Sequence, residues 1–189
     1  MTGFISERYA RSNNHLIDKI GLIHGDITHD HGVDAIVSTL GPDLDPSGAL
    51  NQSIMRGAGA ELDGFILENI YKPRPGDVFS VPGFNLPVDN VIYTISKPWQ
   101  DGLHSEDRDL LRCYRRPMKM AIRMGWKKIA FPALATGQKS FPAKRAARLA
   151  MQGILQRIDP FFDDIYIICN RDETFNAFHE RMKQLGWRG

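Results

Sequence analysis

The sequence predicts an α/β fold: three layers, α/β/α, around a mostly parallel, mixed central sheet. Three observations carry this. Short apolar runs, several rich in Ile and Val, alternate with helical patterns along the chain. No internal repeat, low-complexity tract or linker divides it. The first apolar run ends in a glycine and a carboxylate, Gly25-Asp26, where a buried strand would turn. Strands alternating with helices imply a parallel sheet covered on both faces. The 189 residues suffice for one domain with a sizeable core, expected over about 19–186 with residues 1–18 as an N-terminal extension.

In chain order, the strands are expected at 20–24, 34–39, 77–81, 90–96, 128–133 and 164–169. The helices are expected at 48–58, 60–70, 106–124, 142–156 and 172–185. In the third helix Leu110, Leu111, Tyr114, Met118, Ala121 and Ile122 share a face. Glu106, Asp107 and Asp109 begin it, and Arg123, Lys127 and Lys128 follow its end, as the helix dipole favours. Pro117 should kink it. The last helix aligns Phe175, Phe178, Met182 and Leu185 on one stripe.

Hydrophobic residues make up 42% and charged residues 24%, with a net charge of +2, so nothing global demands nucleic acid or a membrane. No apolar run approaches the ~20 residues that span a bilayer. Glu7, Arg8, Arg11 and Asp18 interrupt any signal-peptide pattern, and cytoplasmic residence is the expectation. Cys113 and Cys169 lie in apolar-periodic segments and read as buried, reduced thiols.

In parallel sheets ligands bind beyond the carboxyl ends of the strands, which is where Asp26 falls. A carboxylate there accepts hydrogen bonds from an amine but cannot hold a phosphate. Two loops could. Residues 38–51 leave the second strand and enter a helix near Ser47-Gly48-Ala49, whose free amides and small side chains admit an anion. Residues 133–142 leave the fifth strand and enter a helix at Pro142, with Thr136, Gly137 and the amides to Ser140 as a second nest. The plainer reading is two ordinary strand-to-helix turns capped by Ser47 and Ser140.

Other motifs fail. Gly137-Gln-Lys-Ser140 ends like a P-loop, but position 132 is Pro132 where the first glycine belongs. Gly57-Ala-Gly59 follows a helix and lacks the third glycine of a dinucleotide fingerprint. His24, His29 and His31 match no zinc spacing and read as surface residues, so no metal is expected. Arg112, Arg115, Arg116, Lys119 and Arg123 read as a solvated helix face; the alternative, a nucleic-acid strip, lacks interleaved aromatics.

Gly25-Asp-Ile-Thr28, Asp34-Ala-Ile-Val37, Ser47-Gly-Ala-Leu50 with Ile54 and Ala58-Gly59, Pro82-Gly-Phe-Asn-Leu-Pro87, Val91-Ile-Tyr-Thr94, Pro98-Trp99, Leu111-Arg-Cys-Tyr-Arg115 and Ile129-Ala-Phe-Pro-Ala-Leu-Ala-Thr-Gly137 with Phe141-Pro142 occur in one order. In that order they resemble the macrodomain family, over roughly residues 19 to 186. The resemblance implies a macrodomain fold, a single macrodomain, binding of ADP-ribose or an ADP-ribosylated substrate, and no cofactor. It implies that Asp26 accepts from the adenine amine and that the Ile27 amide contacts the ring. Around the rest of the ligand it implies Ser38, Gly41, Ser47, Gly48, Ala49, Leu50, Asn51, Ala135, Thr136, Gly137, Gln138, Lys139, Ser140 and Asn170. The departures shape the function. Hydrolytic members of the largest subgroup place a ribose-contacting Asn where this chain has Gly41, and an Asp where it has Asn51. They carry a glycine triplet at Ser47-Gly48-Ala49, an aliphatic and an aromatic at Gln138 and Lys139, and often an aromatic at Asn170. A neutral amide at 51 is a poor base. Binding without hydrolysis is therefore expected; the alternative is an ADP-ribosyl or O-acetyl-ADP-ribose hydrolase using Lys139, Asp43 or Asp45.

Overall fold

A computed structural model describes residues 14–189. Expectations about residues 1–13 lie outside the described residues. The sheet contains β1 (Ile20–His24), β2 (Ala35–Leu40), β3 (Val78–Pro82), β4 (Asn90–Ile95), β5 (Lys128–Pro132) and β6 (Asp164–Cys169). Its order is β1-β6-β5-β2-β4-β3. Every pairing is parallel except that of β3 with β4. Five α-helices follow: α1 (Ala49–Ala58), α2 (Glu61–Asn69), α3 (Glu106–Met124), α4 (Ala143–Leu155) and α5 (Asp172–Gln184). All expected elements are present, with ends shifted by a residue or so. This is the three-layer α/β/α fold.

Strand residues alternate between two cores, as a pleated strand requires. Ala35, Val37, Ile129, Phe131, Ile165 and Ile167 pack with α3, α4 and α5 on one face. Ile36, Leu40, Ala130 and Ile168 pack with α1 and α2 on the other. Beyond the expected elements, Asn14–Lys19 forms a short 3-10 helix, and its Leu16 and Ile17 join the first core.

α3 runs unbroken through Pro117, itself buried. Neither serine caps a helix: Gly48 is the N-cap of α1 and Pro142 that of α4, both without a side-chain cap. Both cysteines are buried and free. No helix among the described residues is long and apolar enough to cross a membrane.

Candidate functional site

The carboxyl ends of β1, β2, β5 and β6 open onto one cavity of about 770 Å³, a size suited to a small-molecule ligand. It draws on segments far apart in the chain, because parallel strands deliver their following loops to the same sheet edge.

One end is built on β1 and β6. The Gly25 N–H extends the ladder by donating to Cys169 O at 2.9 Å. The chain then turns, and Asp26 Oδ1 accepts from the Thr28 N–H at 2.9 Å and the Thr28 hydroxyl at 2.7 Å. Oδ2 has no protein donor among the described residues. Partial burial pushes the Asp26 carboxyl up, but the Thr28 bonds and the nearby His29 and His31 outweigh it and hold the group below its ordinary value. Asp26 is therefore an anion at neutral pH, with one oxygen free to accept. Ile27, Ile168, Asn170, Arg171 and Thr174 complete this end.

The middle is backbone. The amides of Gly48, Ala49, Leu50 and Asn51 at the start of α1 have no protein acceptor among the described residues, as the first turn of an uncapped helix dictates. Across from them the amides of Thr136, Gly137, Gln138 and Lys139 are equally free. The loop that carries them is held from outside. Thr136 Oγ donates to Ala133 O at 2.8 Å, Phe141 N to Ala135 O at 3.0 Å, and Arg171 to Thr136 O at 2.7 Å. Tyr114, fully buried, donates to Pro132 O and accepts from the Leu134 N–H at 2.9 Å. Ala135 and Ser140 sit at φ 64° and 57°, the left-handed region that non-glycine residues rarely occupy, and such strain concentrates at functional sites. A Cβ at Gly137 would meet nothing within 4 Å, so this glycine leaves the cavity side of the loop bare.

The far end carries Gly41, Pro42, Asp43, Asp45, Pro98 and Lys139. The space where a Cβ at Gly41 would stand is occupied by Asp43 Oδ1. Asp43 Oδ1 accepts from the Asp45 N–H at 3.3 Å, and Asp45 accepts from the Ser47 N–H and hydroxyl at 3.0 and 2.6 Å. Asn51 lines the cavity but is not free: its Nδ2 donates to Thr39 O at 2.7 Å and its Oδ1 accepts from Ser38 Oγ at 2.8 Å. The side chain ties α1 to the end of β2.

Lys139 is not an exposed loop side chain. Its ammonium donates to Leu40 O, Ser96 O and Ser96 Oγ at 3.0, 2.7 and 2.8 Å, and its carbonyl accepts from the Trp99 N–H at 2.8 Å. Burial pulls its pKa down to about 8, against the opposing pull of Cys113, Asp43 and Asp45. All three ammonium protons are occupied, so Lys139 fastens the second loop to the ends of β2 and β4.

Among the expected ligand contacts, Asp26, Ile27, Gly41, Gly48, Ala49, Leu50, Asn51, Ala135, Thr136, Gly137, Gln138, Lys139 and Asn170 line this cavity together, and so do Asp43 and Asp45. Ser38, Ser47 and Ser140 do not. Ser38 is fully buried behind Asn51. Ser47 holds Asp45, and the Ser140 N–H is taken by Gly137 O at 2.8 Å. Thr39, Ser53, Arg171 and Thr174 line the cavity without having been expected. His24 pairs with Asp172 at 3.2 Å, and a ring nitrogen of His31 bonds Asp26 O at 2.7 Å. Arg112 and Arg116 of the basic run pair with Asp109 and Asp77.

Known proteins resemble this chain in sequence and in fold. Residues 37–150 match the family model described as Macro domain. A protein of Citrobacter rodentium named O-acetyl-ADP-ribose deacetylase is 34% identical over 179 residues, covering 89% of this chain and 97% of its own. The Oceanobacillus iheyensis macrodomain with ADP superposes with a TM-score of 0.78 at 25% identity, covering 87% of this chain and 90% of its own. The Trypanosoma brucei macrodomain in complex with ADP-ribose shares the fold, with a TM-score of 0.76 at 23% identity, over 89% of this chain and 69% of its own.

Proposed function

The chain belongs to the macrodomain family, and from that premise we propose that it binds ADP-ribose, or a nucleotide or protein bearing an ADP-ribosyl group, without efficient hydrolysis of carboxylate-linked ADP-ribose. One observation carries the reading. A single cavity presents an ionised, half-engaged carboxylate at one end and two facing rows of unpaired backbone amides in its middle. An exocyclic amine suits the first and a diphosphate the second. Beyond the diphosphate, the distal ribose would meet Gly41, Asp43 and Asp45.

The case against efficient hydrolysis is local. A base must be able to take a proton from water. Asn51 is a neutral amide with both ends engaged, and every proton of Lys139 is committed to a protein oxygen. A second reading, deacetylation of O-acetyl-ADP-ribose, draws on the named activity of the Citrobacter relative and on Asp43, the cavity carboxylate at that end with one weak backbone bond.

Calorimetry with ADP-ribose tests the proposal. Asp26→Ala should weaken binding about tenfold or more, since a charge-assisted bond contributes ~1.5–3 kcal/mol. Gly137→Val should weaken it with little change in melting temperature, because its Cβ enters open space. Wild-type affinity in both variants would remove the assignment. Release of ADP-ribose from an auto-modified transferase, or of acetate from O-acetyl-ADP-ribose, at the rate of an active macrodomain would replace binding by the second reading.

A further inference from the structure

We propose that Arg171 is the cation that meets the ligand's phosphate nearest the base, and that it also fixes the orientation of the Gly137 amide. The proposal rests on the nucleotide-binding reading above. The cavity wall bears three carboxylates, Asp26, Asp43 and Asp45, against two cations, Lys139 and Arg171. A diphosphate entering such a wall needs a positive group with donors to spare. Lys139 has none, because its three protons already serve Leu40 O, Ser96 O and Ser96 Oγ. Arg171 has several. A guanidinium carries five N–H groups, and its only acceptor among the described residues is Thr136 O, at 2.7 Å.

Placement follows from the sheet. Arg171 leaves the carboxyl end of β6, which lies between β1, the strand of Asp26, and β5, the strand of the Thr136 loop. A ligand that reaches from Asp26 to the amides of that loop passes the guanidinium between them. The bond to Thr136 has a second effect. Thr136 C=O and Gly137 N–H belong to one planar trans peptide and face opposite ways. Holding the carbonyl toward Arg171 turns the Gly137 N–H away from it. Arg171 thus binds one phosphate directly and fixes an amide that faces the rest of the diphosphate from the other side of the peptide.

The test is calorimetric titration of the wild type, Arg171→Ala and Arg171→Lys with ADP-ribose, AMP and adenosine, at low and high salt. Arg171→Ala should bind ADP-ribose and AMP roughly tenfold more weakly, as for loss of a charge-assisted bond. It should leave adenosine unaffected and flatten the salt dependence of the other two. Arg171→Lys should recover part of the loss, having charge without the planar fork. The Gly137 amide resonance in ligand-free protein should shift in Arg171→Ala. Wild-type affinity and salt dependence in a folded Arg171→Ala would overturn the proposal, as would equal weakening of adenosine. Should Arg171→Ala fail to fold, the same readings on Arg171→Lys and Arg171→Gln decide. Inorganic pyrophosphate separates this proposal from the reading beneath it. If the wild type ignores ADP-ribose but binds pyrophosphate through Arg171, the nucleotide reading falls and the anion site stands. If it binds neither, both fall.

Discussion

Replacing Asn51 by aspartate is the obvious attempt to restore the carboxylate that hydrolytic relatives carry, and the structure predicts that it unsettles the fold first. Asn51 is 6% exposed, and its Nδ2 donates to Thr39 O at 2.7 Å. In Asn51→Asp that donor becomes an oxygen facing another oxygen. The Ser38 bond to Oδ1 survives. The lost bond removes ~1 kcal/mol, and an unpaired buried acceptor beside a buried charge adds ~1–3 kcal/mol. The first turn of α1 returns ~0.5 kcal/mol through the helix dipole. The net penalty is about 1.5–3.5 kcal/mol at neutral pH, a fall of roughly 3–14 °C in melting temperature for a chain of this size. The sign of the pH dependence follows. Once protonated, the introduced carboxyl can donate to Thr39 O, so the folded state raises its pKa. The penalty is then full above that raised value and shrinks as pH falls toward ~3.9, the value in the unfolded chain. Urea unfolding of wild type, Asn51→Asp and Asn51→Ala at about pH 5 and about pH 8 measures this. Asn51→Ala, which cannot titrate, should show no such trend. Stability equal to wild type at the higher pH, or a penalty that ignores pH, would refute the reasoning.

Two further predictions address the far end of the cavity. Gly41→Ala should cost less than ~1 kcal/mol, because the added Cβ displaces only the tip of exposed Asp43 and its 3.3 Å bond to the Asp45 N–H; adding Asp43→Ala should abolish the remaining cost, and a strictly additive double-mutant cycle would contradict the contact. For Lys139, whose pKa burial brings down to about 8, the unfolded chain holds the proton longer, so its contribution to stability should fall as pH drops from about 10.5 toward about 8 and be greatest above that window. The readout is the stability of wild type minus that of Lys139→Met, read below about pH 10 because burial raises Cys113 and Cys169 to about 11; a difference that stays flat would show that the ammonium is solvated.

Much of this molecule follows from local chemistry. Helix and strand periods, the acidic start of α3 and the Ile-rich strands set the order of elements, and that order requires a parallel sheet whose loops gather at one edge. Asp26 could be read as a site residue because a carboxylate ending an apolar strand is a local pattern. The two loops could be read for the same reason, as small residues between a strand and a helix. What tertiary structure decided is which atoms remain free. β2 is buried along its whole length, so its sequence carries no alternation to show that Thr39 lines the cavity while Ser38 lies behind Asn51. Lys139 looks like an exposed lysine until β2 and β4, both distant in sequence, bring three oxygens around it. Arg171 is one charged residue at a helix start until Thr136, 35 residues earlier, engages it. Periodicity and turn chemistry act over a few residues and are written in the sequence. The satisfaction of a donor or acceptor depends on partners from distant segments, and only the assembled sheet brings those within reach.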